Sequence, residues 1–151
     1  MKKIISMMLM FTAMALFVGC GSDDDGGSNG GGGGGGAYVG EWVFVKSYDE
    51  NDFYVEVIKL NSNGTGTQTL YHLCEYEAVY EVGNFTYSVS DSQITIKTPK
   101  ETFTGNYSMG TYDGSRFFAV TIKGKTTTYM EMTSEIRNEI NAYHPVPGDV
   151  H

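Results

Sequence analysis

"FTYSVSDSQITIKTPKETFTGNYSM", residues 85–109, alternates apolar and polar side chains over most of its length. Phe85, Tyr87 and Val89 are interleaved with Thr86 and Ser88, and Ile94 and Ile96 with Thr95 and Lys97. Phe103, Tyr107 and Met109 continue the period, with Gly105 on the same face. A period of two sends every second side chain to one face of a strand. The breaks fall at Ser90-Asp91-Ser92 and Pro99-Lys100, residue types that favour turns. Three antiparallel strands joined by short turns follow from this stretch alone.

The same grammar extends in both directions. Asn63-Gly64 and Asp113-Gly114 are strong hairpin turns, because both need backbone angles that Asn, Asp and Gly tolerate, and Lys123-Gly124 is a weaker one. Eight strands are predicted, over residues 41–48, 53–60, 65–73, 84–90, 93–98, 101–109, 115–122 and 125–132. Short connections pair neighbours in sequence order, and a meander of this length closes because closure removes exposed edges. The expected fold is all-β: an eight-stranded antiparallel meander barrel with a short C-terminal helix.

Three stretches resist the pattern. "EYEAVYEV", residues 75–82, reads as a strand extending its neighbour or as a short helix over a barrel end, with the strand preferred. In strand two Phe53, Val55 and Val57 point one way and Tyr54, Ile58 and Leu60 the other, so both faces are apolar and the pattern does not fix the register. After the last strand, Thr133 or Ser134 can cap a helix that carries Ile136, Ile140 and Tyr143 on one face, with Pro145 as its stop. That stripe packs on the barrel wall or, alternatively, on a partner. The domain therefore spans residues 37–144, and "PVPGDVH", residues 145–151, is expected to be a disordered tail.

Ahead of the domain lies an address. Lys2 and Lys3 precede an apolar run from Ile4 to Val18, closed by Gly19 and Cys20. This is the layout of a secretory signal peptide, residues 1–19, and it is shorter than the roughly 20 apolar residues a membrane-spanning helix needs. Phe17-Val18-Gly19-Cys20 resembles a bacterial lipobox, with Phe17 where an aliphatic residue is usual. The resemblance implies that the Cys20 thiol is lipidated. More than one acyl chain, of the palmitate type, gives stable anchoring. Asp23-Asp24-Asp25 resembles the acidic export signal of Bacteroidetes surface lipoproteins, and otherwise reads as a solvated charge cluster. Gly26 to Gly36 holds nine glycines with Ser28 and Asn29, a composition that stays a flexible coil and spans on the order of 20 Å. Residues 20–36 are thus a lipidated cysteine plus an acidic, glycine-rich tether, and the expected location is the outer membrane, lipid-anchored and exposed at the cell surface.

Charge and thiols narrow the functions. Without Lys2 and Lys3 the chain holds 8 basic against 18 acidic residues, a net charge of −10. Nucleic acid is excluded as a partner, since its phosphates require Lys and Arg clusters. Cys74 is the one cysteine besides Cys20, so the domain has no internal disulfide, and a buried, inert thiol is expected.

Val39-Gly40-Glu41-Trp42 opens strand one. Gly-x-Trp, followed by a meander with "LNSNGTGTQTL" at its second turn and "FTYSVSDSQITI" beyond, resembles the lipocalin-like domains of Bacteroides-type lipoproteins across residues 38–132. The resemblance implies a barrel that takes a small, mostly apolar ligand. It also implies that Trp42 plugs one end, with a basic residue of the last strand across it. "KTTTYMEM" carries no arginine, only Lys125 at its start, so Arg116 or Arg137 would have to serve.

Eight strands enclose a space that side chains fill or that one small ligand occupies. Phe44, Tyr87, Phe103, Tyr107, Phe118 and Met130 are the expected inward residues, and all are bulky. Two functions stay open. The first is ligand binding, with Trp42, Phe44, Glu56, Tyr87, Tyr107 and Phe118 as the candidate contacts. The second is a filled barrel that contacts an envelope protein or a glycan through its loops and its many tyrosines. Glu56 or Gln68, if inward, would be the polar anchor of a ligand. Catalysis is not expected: His72, Cys74 and Glu75 lie close in sequence, yet no orienting group, metal set or phosphate loop accompanies them. No cofactor is expected either.

Overall fold

The computed structural model describes residues 36–148 and Val150. The signal peptide, Cys20 and nearly all of the tether lie outside the described residues, and so do Asp149 and His151. Nine strands and one helix follow in order: β1 Gly40–Asp49, β2 Asp52–Leu60, β3 Thr65–Cys74, β4 Glu77–Ser90, β5 Gln93–Lys97, β6 Thr102–Tyr112, β7 Ser115–Ile122, β8 Lys125–Glu131, α1 Ser134–Asn141 and β9 His144–Pro147. The first eight strands pair antiparallel with their sequence neighbours, and β8 pairs back onto β1. The fold is all-β, and its eight-stranded sheet forms a ring.

The turns behave as their residues dictate. Asp113 and Gly114 both have positive φ, as do Lys123 and Gly124, so each pair makes a tight two-residue hairpin whose twist matches the flanking strands. Residues 77–82 extend β4 as a strand, and Glu75 at φ 52° forms the turn before it.

Register sorts the side chains into two cores. Trp42 lies opposite Ile58, and Phe44 opposite Glu56, so these residues share the interior face. Val43, Val45, Val55, Leu73, Ala78 and Met130 take the outer face, where Ile136 and Ile140 of α1 cover them. Both faces of β2 are apolar for this reason: one lines the ring and the other lies beneath the helix. Met130 is a correction to the expected inward set. Trp42 pairs with Glu131 and Val43 with Met130, so Tyr129 points in and Met130 points out toward α1. A shift of one residue flips every side chain of a strand.

The helix starts as expected, with the Thr133 hydroxyl accepting from the Ile136 amide at 3.3 Å. The stretch after it is not a disordered tail over its described length. β5 is short and pairs only with residues 86–90 of β4, which leaves residues 77–80 of β4 with an open edge. His144–Pro147 fills that edge in parallel. The amides of His144 and Gly148 donate to the carbonyls of Tyr76 and Tyr80, at 2.8 and 3.2 Å. By alternation Pro145 and Pro147 face away from β4, where a missing N–H costs nothing. The prolines also leave the new edge poor in donors, which discourages further pairing. Cys74 is a second correction: it is exposed, because it ends β3 at the turn into β4.

The seam between β1 and β8 has two paired positions, against nine between β1 and β2. The helix braces it by packing on both strands. Replacing Ile140 with alanine removes that brace and is expected to cost about 2–5 kcal/mol in urea denaturation. A cost near zero would mean that α1 does not hold the seam.

Candidate functional site

One end of the ring is closed by aromatic packing. The Trp42 indole N–H donates to the Tyr38 carbonyl at 2.7 Å, and its ring centroid lies 5.6 Å from that of Phe118. Tyr38 meets Tyr87 and Tyr107 edge-on, both at 6.0 Å. The Tyr87 hydroxyl donates to the Asn61 carbonyl at 2.6 Å, which ties the β2–β3 turn to this plug. Arg116 places its guanidinium 5.3 Å from the Trp42 centroid, a cation–π distance, and pairs with Glu131 at 2.9 Å. Its other arm bonds the Ala37 carbonyl. The cation beside the tryptophan therefore comes from β7, and not from the last strand of the meander.

Below the plug the interior is not filled. A cavity of about 340 Å³ runs from Leu60 and Phe118 to Thr98 and Lys125. Ile58, Ile94, Ile96, Val120 and Ile122, with Leu60, make its aliphatic wall. Lys125, which lines it at the end opposite Trp42, is exposed, and the cavity is partly open to solvent. Gly66 lies opposite Phe85, and a Cβ there would meet the Phe85 ring at 2.3 Å, so the absence of a side chain lets the ring pack directly on β3, where it lines the cavity.

Glu56 is the chemically distinctive residue of this space. It lines the cavity, and its Oε1 accepts from Gln68 Nε2 at 2.6 Å. The Tyr129 hydroxyl donates to it as well. Gln68 reaches it diagonally across the β2–β3 ladder, where Glu56 faces Leu70 and Ile58 faces Gln68. Burial pushes the Glu56 carboxyl above its ordinary pKa, while the bonds from Gln68 and Tyr129 and the charge of Lys125 pull the other way. Tyr129 is pushed up by its own burial and then by the neighbouring carboxylate. Tyr54, two residues from Glu56, rises to about 12, first from burial and then from Glu56.

All six candidate ligand contacts belong to strands whose alternation turns them inward, but they divide into groups. Glu56 and Phe118 line the cavity. Trp42, Tyr87 and Tyr107 belong to the plug. Phe44 lies between these regions, edge-on to Tyr129 at 6.1 Å. The seventh, Cys20, lies outside the described residues. Gln68, the alternative anchor, joins Glu56 on the same site. Sequence reasoning missed Tyr129 as a third member, and the signal was present: in "KTTTYMEM" the face of Tyr129 is the one that excludes Met130. Elsewhere, His72 Nε2 lies 2.6 Å from Asp52 Oδ1, beside the exposed Cys74. Among the described residues no three His, Cys, Asp or Glu side chains come together as metal ligands.

Comparisons with protein-family models, with curated proteins and with solved structures find no match to this chain.

The Glu56 carboxyl has a definite pH signature. Its folded-state pKa is raised, so the folded protein holds this proton to higher pH than the unfolded chain does. Stability is therefore lost as pH rises from the ordinary carboxylate pKa through the raised one. Glu56→Gln removes that loss. In urea denaturation, the stability of the variant relative to the parent should grow as pH rises from about 4, the ordinary carboxylate range, through the raised value. A difference that stays constant over this range would mean that Glu56 titrates normally.

Proposed function

We propose that this chain is a lipocalin-like barrel, anchored by lipid on Cys20, that binds a small, mostly apolar ligand in its interior. The observation that carries the reading is the cavity of about 340 Å³. That volume is at the small end of the range typical of ligand sites. Natural cores leave few voids larger than a water molecule, so a space of this size with one end open is not a packing defect. Its walls follow the usual division of labour: aliphatic and aromatic side chains supply affinity, and a few polar groups fix orientation. Trp42 and Arg116 at the closed end add to the lipocalin likeness. The rival reading, a filled barrel that acts on an envelope protein or a glycan through its surface, requires a solid interior, and the cavity weighs against it.

Protein purified from its own host should carry a co-purifying small molecule, detectable by native mass spectrometry and recoverable by lipid extraction. Thr127 lines the cavity, and Thr127→Phe should fill part of it and reduce that occupancy at least several-fold with the fold retained. An empty parent protein, or equal occupancy in the variant, would overturn the interior site. The anchor is tested separately: Cys20→Ser should move the protein out of the detergent-soluble membrane fraction. A variant that stays there would sink the lipidation.

A further inference from the structure

Resting on the reading of the interior as a ligand site, we propose that the ligand is an apolar molecule with one cationic amine, bound with the nitrogen on Glu56 and its apolar body along the wall of Ile58, Ile94 and Val120. The geometry is specific about the head group. A carboxylate offers about four lone-pair positions. Gln68 and Tyr129 take part of that capacity as neutral donors, and both are fixed in the sheet. The ion pairs among the described residues are Lys59–Glu41, His72–Asp52, Arg116–Glu131 and Arg137–Glu41, and none of them includes Glu56. The acid therefore stands in a mostly apolar cavity with its remaining acceptor capacity, and Lys125, the cation that shares the cavity, acts on it through space without an ion pair.

A buried carboxylate in this condition is costly unless something pairs with it. A ligand ammonium supplies the missing cation and the missing donors together. A neutral alcohol supplies a donor only. A ligand carboxylate would meet like charge at Glu56, and could gain only at Lys125, which is exposed at the mouth. Apart from Gln68, Thr98, Lys125 and Thr127, the wall beyond Glu56 is aliphatic and aromatic, so the remainder of the molecule must be mostly apolar. The volume limits it to one ring or a short chain.

Three probes of matched size decide the matter: 2-phenylethylamine, 2-phenylethanol and phenylacetate, titrated near neutral pH by calorimetry or by the emission of Trp42, the one tryptophan. The amine should bind at least about tenfold more tightly than the alcohol, as expected for a charge-assisted bond, and phenylacetate should be weakest. Glu56→Gln should bring the amine down to the level of the alcohol and leave the alcohol within about threefold of its parent value. If that variant does not fold, the ranking on the parent protein decides alone. Equal binding of amine and alcohol would overturn the amine assignment and leave the apolar site standing, as would tighter binding of phenylacetate. No binding of any probe would overturn both.

Discussion

The fold depends on a short seam. β1 and β8 meet at Trp42–Glu131 and Val43–Met130, and the Met132 amide adds a bond to the Glu41 carbonyl at 2.9 Å. So few ladder bonds contribute little, since each is worth about 1 kcal/mol net. Closure is held instead by what lies on either side of the sheet. Inside, Trp42 packs against Phe118, and Tyr129 contacts both Phe118 and Phe44. Outside, Ile136 and Ile140 cover Val43, Val45 and Met130. Arg137 pairs with Glu41, and Arg116 with Glu131, so an ion pair anchors each strand of the seam. Exposed pairs of this kind add little energy, so the packing on either side of the sheet carries the closure.

The same seam explains why the interior stays open. The aromatics that hold it, together with Tyr38, Tyr87 and Tyr107, are concentrated at one end. The opposite end is bounded by aliphatics and by exposed residues at the turns. The interior is consequently divided into a solid plug and a cavity, with Glu56, Gln68 and Tyr129 at the boundary. The outer core under α1 supplies stability that does not depend on filling the ring. That arrangement lets the protein keep a space of about 340 Å³ without losing its fold.

Much of this was legible in the chain. The alternation of residues 85–109 and the Asp-Gly and Lys-Gly turns specify strands and hairpins, because both signals are local. Thr133 and the spacing of Ile136 and Ile140 specify the helix for the same reason. The inward orientation of Glu56 and Gln68 was left open, because both faces of β2 are apolar and only the placement of α1 separates the face beneath the helix from the one lining the ring. Met130 was misplaced by one residue of register, and Tyr129 was hidden by the same slip. The pairing of β9 was invisible, since two prolines in four residues argue against a strand until an open edge is available.

What the sequence determined by itself is what neighbouring residues decide: strand, turn, helix cap and the acidic balance of the chain. The tertiary structure alone decided what distant residues share: the seam, the covering of β2 on both faces, the edge that β9 fills, and the meeting of Glu56 with Gln68 and Tyr129. Local preference is set by a few backbone angles and the side chains beside them. Closure of a ring is a condition on the whole chain, and the shape of the space it encloses follows from that condition.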